Sequence, residues 1–156
     1  MSQKIKYRNL PQLFLKARAN LISHFRPIWG HFGLTDQQWR ILRVLDESGA
    51  MEPRELCGIC QISSPSMAGV LKRMEEADLI FRSPVSGDQR RILIALSAHG
   101  DKLISRMAPL IDAQYRHIEK AFGVEAINDL IAALEKFNQV DSTSVKQVSL
   151  DKTDGA

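Results

Sequence analysis

Ser64-Pro65-Ser66-Met67 opens a run whose apolar residues recur at helical spacing, and about twenty residues later Asp88-Gln89-Arg90-Arg91 lies between two short alternating apolar segments. Ser64 and Ser66 place hydroxyls at a helix N-terminus, where the dipole favours anionic oxygens. Lys72 and Arg73, two turns further on, can reach backbone phosphates, although Ser64 could equally be a simple cap and Lys72 a solvated side chain. Arg90 is expected at the cationic tip of a hairpin, where the negative potential of a narrow minor groove would attract it. Asp88 cannot bind phosphate, so its expected part is to orient an arginine through a charge-assisted pair; the bland alternative is a surface ion pair of little value.

These side chains need a scaffold, and the chain spells one out. Apolar periodicity predicts a helix from Leu10 to Phe32 with a bend at Pro27, then a capping box, Thr35-Asp36-Gln37-Gln38, opening a helix to Ser48. Pro53 suits the first turn of a short helix to Cys60, and Ser64 as N-cap with Pro65 at the first helical position starts a helix ending near Asp78. Its positions Met67, Val70, Leu71 and Met74 form one stripe. From Leu79 to Val85 and from Arg91 to Leu96 the period falls to two, with Ser86-Gly87-Asp88-Gln89 as the turn. Ser97 can cap a helix over residues 98–122, kinked at Pro109, and Gly123 separates it from a last helix, residues 125–138.

The fold class this implies is mainly α with a small β-wing, a winged helix-turn-helix flanked by long dimerisation helices. Residues 35–97 form the DNA-binding domain, 1–34 and 98–138 the helical dimerisation region, and 139–156 a disordered tail. Leu103, Ile104, Met107, Leu110 and Ile111 continue as a stripe, as do Ile127, Leu130, Ile131 and Leu134. A winged unit is nearly complete without them, so a homodimer is expected. The candidate DNA-binding residues are therefore Ser64, Pro65, Ser66, Lys72, Arg73, Asp88, Gln89, Arg90 and Arg91, with double-stranded DNA bearing a pseudo-palindromic operator as the partner.

A net charge of +3 over 156 residues is weak support for nucleic acid by itself. Its distribution says more: residues 1–43 sum to +7, while 44–100 and 101–156 each sum to −2, so individual cations must carry the argument. No secretory signal or membrane span is evident, which points to the cytoplasm. Four histidines lack metal spacing and no nucleophile has a plausible base, so neither an enzyme, a metal nor a cofactor is expected. Cys57 and Cys60 lack further ligands for zinc; they are either small buried apolar side chains or a thiol sensor. A non-catalytic interaction module of an enzyme is a further alternative.

A second cluster suggests an effector. On a helical wheel Phe14, Leu21, Ile22, Phe25 and Trp29 fall within about 60° of Arg18, which places a guanidinium amid an apolar face. A carboxylate must meet it, from a ligand or from an acid such as Asp112 or Glu119 across a dimer. Trp39 and Arg43 share a face of the next helix, and with His24 at the edge they suit an aromatic acid: guanidinium to carboxylate, imidazole to phenol, indole to ring. Arg18, His24, Trp39 and Arg43 are the candidate ligand-binding residues.

Asp88-x-Arg90 followed by Leu96-Ser97, behind a helix that starts Ser64-Pro65-Ser66 and runs into Arg73-Met74-Glu75-Glu76-Ala77-Asp78-Leu79-Ile80, resembles the MarR family of bacterial transcription regulators over residues 10–138. The resemblance implies a dimeric winged-helix repressor released from DNA by small phenolic or aromatic acids. Phe25-Arg26-Pro27-Ile28 and Gln37-Gln38-Trp39-Arg40-Ile41 look like the regulators of homoprotocatechuate degradation within it. Two positions depart from the family pattern: Gln61 and Asp78 stand where glycine is common.

Overall fold

Prolines, serines and glycines set most element boundaries in the computed structural model, which describes residues 4–150. Helix α1, Leu10–Ser23, is capped by Asn9, whose side chain accepts from the Gln12 N–H at 3.1 Å. The long bent helix expected here is instead two helices, because His24 closes α1 and α2 covers Arg26–His31. Pro27 has no N–H and its ring would crowd the Ser23 carbonyl, so the chain stops and reuses the proline in a first turn, where the missing donor costs nothing.

Helix α3, Asp36–Ser48, begins with the reciprocal Thr35–Gln38 capping box, and α4 spans Pro53–Cys60. Helix α5 spans Ser64–Glu76, one residue out of the expected phase. Ser63, not Ser64, is its N-cap, since the first helical bond runs from the Met67 N–H to the Ser63 carbonyl at 2.8 Å. The turn between α4 and α5 is closed by Gln61 at φ 51°, and α5 is left through Asp78 at φ 54°. These two residues, the departures from the family's glycines, are the non-glycine residues at positive φ among those described.

Strands β1, Ile80–Val85, and β2, Asp88–Leu96, pair antiparallel in register from Ile80 with Leu96 to Pro84 with Ile92, then slip so that Val85 faces Asp88. The turn is only Ser86-Gly87, with Gly87 at φ +85°, and the expected turn residues Asp88 and Gln89 belong to β2. Met51 adds a bridge to Ile94, donating and accepting at 3.1 and 2.8 Å, in a stretch to which the sequence patterning assigns no element. Helix α6, Ala98–Phe122, carries Pro109 without interruption, and α7 spans Val124–Gln139. Beyond it, Asp141 caps a short 3-10 turn at Ser142–Ser144; the end of the expected disordered tail lies outside the described residues.

The core gathers Ile41, Leu42 and Leu45 of α3, Leu56 of α4, Met67, Val70, Leu71 and Met74 of α5, and Ile80 and Ile94 of the wing. All four predicted stripe positions of α5 are thus buried. In contrast, α1 and α7 contain no buried residue, although Leu13, Leu15, Leu130, Ile131 and Phe137 are apolar. Residues to Gln114 form one compact unit and those from Tyr115 another, the division falling inside α6. Among the described residues no helix is long and apolar enough to cross a membrane.

The wing is joined to α6 by a tight clasp. The Ser97 hydroxyl donates to the Asp78 carbonyl and accepts from the Gly100 N–H at 2.9 Å, while the Ser97 N–H reaches the Leu79 carbonyl at 3.1 Å. A Cβ at Gly100 would stand 2.1 Å from that same Leu79 oxygen, so only glycine fits. Gly100→Ala is expected to lower stability by about 1–3 kcal/mol, as overpacked sites do, and Asp78→Gly to raise it by about 0.5–1 kcal/mol by relieving a left-handed backbone. Urea denaturation followed by circular dichroism gives both signs.

Candidate functional site

With one face of α5 locked into the core, its first turn has nowhere to go but out. Ser63, Ser64, Pro65 and Ser66 are all exposed, and the Ser63 hydroxyl donates to that of Ser66 at 3.1 Å, leaving the Ser66 proton free to donate. The Ser64 hydroxyl lies 3.8 Å from Cys57 Sγ. Lys72 and Arg73 are exposed on the flank. Beside this turn opens a groove of about 400 Å³ whose lining includes Arg54, Cys57, Ser64 and Arg82. Arg54, exposed on α4 and without a carboxylate partner among the described residues, is a cation that sequence reasoning missed, because nothing in the spacing ties α4 to the α5 turn.

The wing sorts its arginines by their partners. Arg82 of β1 meets Glu75 of α5 at 3.0 Å, and Arg91 of β2 meets Glu52 at the start of α4. Both ion pairs fasten the hairpin to the helices. Arg90 has no carboxylate among the described residues and sits in the slipped stretch of β2, where ladder pairing is interrupted. Asp88 was expected to hold an arginine side chain; it instead accepts from the Arg90 backbone N–H at 3.0 Å. The carboxylate thus serves the backbone of the bulge, and the Arg90 guanidinium is left without an acid partner among the described residues.

Of the four candidate ligand residues, one is part of the packed structure and the other three lie at the surface. Trp39 is buried, its ring 6.1 Å from Trp29, which stacks in turn on Phe25 at 6.1 Å. Arg18 is not sunk in an apolar face as the wheel suggested: its side chain is 52% exposed and pairs with Asp36 of its own chain at 3.3 Å. No residue of α1 is buried, so Arg18 lies at the surface, where its guanidinium reaches the start of α3. Asp36 Oδ2 also takes Arg40 at 3.2 Å, making it a bridge between two cations. It is the one acid among the first 43 residues, a signal that the capping-box reading hid. His24 is exposed at the end of α1, and Arg43 pairs with Glu47 at 2.6 Å; among the described residues neither bonds to Arg18.

The thiols are unequal. Cys60 is buried and its pKa is pushed up by desolvation, with Arg40 opposing and Cys57 adding to the rise, whereas Cys57 is half-buried at the groove. A protonated buried thiol is a poor nucleophile. Among the described residues no group of three or more His, Cys, Asp or Glu could hold a metal ion.

A family model described as MarR family matches residues 32–91, from just after α2 into β2. The transcriptional regulator FarR of Neisseria gonorrhoeae is 37% identical over 139 residues, covering 87% of this chain and 95% of that protein. The chain belongs to the MarR family. Another MarR-type relative, the homoprotocatechuate degradative operon repressor of Escherichia coli, is 41% identical over 123 residues, 79% of this chain and 83% of its own. The structure of NadR in complex with 4-hydroxyphenylacetate superposes with a TM-score of 0.79 at 35% identity, covering 90% of this chain and all of that one. The fold is accordingly that of a MarR-family winged helix-turn-helix transcriptional regulator.

The partner sorting in this MarR wing makes its arginines distinguishable. Arg90→Ala should weaken binding to an operator duplex by roughly 1–3 kcal/mol, the worth of a groove-reading contact. Arg91→Ala, which breaks a surface pair, should cost under about 1 kcal/mol of stability and leave affinity within a few-fold. Fluorescence anisotropy with thermal melts separates the two.

Proposed function

We propose that this chain is a homodimeric, cytoplasmic repressor of an operon for the breakdown of aromatic compounds, released from DNA by a phenolic or aromatic carboxylic acid. The observation that carries the reading is an exposed, cation-flanked α5 turn in a chain whose α1 and α7 bury nothing of their own. Covering those apolar helices with a second copy would present two α5 turns related by a two-fold axis. Such an arrangement suits half-sites about 34 Å apart on a pseudo-palindromic duplex. Ser64, Pro65 and Ser66 enter the major groove, Lys72 and Arg73 hold phosphates, and the Asp88-to-Arg91 segment offers Arg90 to the minor groove.

The effector half draws on Arg18 and on two relatives, one named for homoprotocatechuate degradation and one seen with 4-hydroxyphenylacetate. Arg18 spends one N–H on Asp36 and stays half exposed, so its remaining donors are open to a ligand carboxylate. Trp39 and Trp29 give an aromatic wall on the α3 side, and Arg43 and His24 complete the candidate set. An acid that binds better when the two α5 helices are off their spacing releases the operator in proportion to that difference.

Purified protein should protect a two-fold symmetric stretch of its own promoter region at low salt; no footprint there ends the regulator reading. Arg18→Ala should abolish release by a panel of hydroxyphenylacetic and hydroxybenzoic acids while keeping operator affinity within a few-fold. If sedimentation shows that Arg18→Ala splits the dimer instead, Arg18 is a structural residue and the effector assignment falls.

A further inference from the structure

Arg40 does something the DNA contacts and the effector set leave out. It stands on α3 with its side chain 26% exposed, and its guanidinium faces two elements at once. One nitrogen donates to the carbonyl of Cys60, the last residue of α4, at 2.5 Å. Another pairs with Asp36 at 3.2 Å, on the same carboxylate oxygen that takes Arg18 of α1 at 3.3 Å. Its Nε is buried and has no hydrogen-bond partner among the described residues.

An orphaned buried N–H is unfavourable, so the side chain is held in place by the two bonds it does make. The Cys60 carbonyl is one of those left without a helical partner at the end of α4, and a guanidinium there also suits the negative end of that helix. The next residue is Gln61 at φ 51°, then Ile62 and the N-cap Ser63 of α5. Arg40 therefore grips the chain at the point where the α5 turn takes its direction.

We propose that Arg40 is a positioning residue: through Asp36 it couples the state of Arg18 to the α4–α5 turn that aims the presented end of α5. When Arg18 leaves Asp36, the carboxylate settles onto Arg40 alone and its pull on the Cys60 carbonyl changes. The value of this coupling for operator release rests on the function proposed above, but the coupling itself is a property of the free protein. Lysine cannot replace arginine here, because one ammonium cannot span both partners in a fixed fork.

Amide hydrogen exchange tests it with neither DNA nor acid. Arg40→Gln and Arg40→Lys should both speed exchange at Ile62, Ser63 and Met67 by about two- to tenfold, the scale of couplings carried by such networks, with α6 protection unchanged. Arg18→Met should shift exchange at the same amides in the parent and have no effect there in an Arg40→Gln background. Asp36→Asn supplies the same local signature should Arg40→Gln fold poorly. Additive effects of the two arginine changes, rescue by lysine, or a uniform rise over all helices overturns the coupling. A parent protein that binds no operator sinks the regulator reading and leaves the exchange result standing.

Discussion

What the molecule can present depends on burying one stripe of α5. Met67, Val70, Leu71 and Met74 are almost wholly withdrawn from water, each worth about 1.5–3 kcal/mol relative to exposure. That stripe fixes the rotation of α5 about its axis, and the rotation decides which residues of its first turn look outward. A slip of one residue would turn the helix by about 100° and bring the serines round towards the core. Which hydroxyls and cations α5 presents is thus first a packing result.

The wing obeys a related economy of charge. Of its three arginines, Arg82 and Arg91 are neutralised by Glu75 and Glu52 and act as fasteners, and the bulge that Asp88 shapes leaves Arg90 unmatched. The overall charge is only +3, and Arg90 of the wing and Arg54 beside the α5 turn are cations without an acid partner among the described residues. Net charge would not have ranked them; the ion pairs do.

How much of this was legible beforehand follows from which forces are local. Capping at Thr35, the α5 stripe and the alternation of the strands rest on contacts within a few residues or on a single period, and they read directly from the sequence. The break at Pro27, the Met51 bridge and the shorter turn depend on which neighbour a backbone group finds, and periodicity is silent about that. The surroundings of Arg18 were the least legible. A wheel places Arg18 among apolar side chains, but only the fold shows that Asp36, eighteen residues on, is within its reach. Gln61 and Asp78 were visible as departures from a family pattern; their positive φ explains why glycine is common there.

The clasp at Gly100 has a mechanical corollary. With a carbonyl oxygen where a side chain would begin, the first turn of α6 and the root of the hairpin have no slack between them. Torque applied to that end of α6 would arrive at the β-strands undiminished, like force through a welded bracket, and the compliant joints of this half must be sought elsewhere. Gly49, at φ +77°, closes α3 just before Met51 ties the next stretch of backbone to the same hairpin.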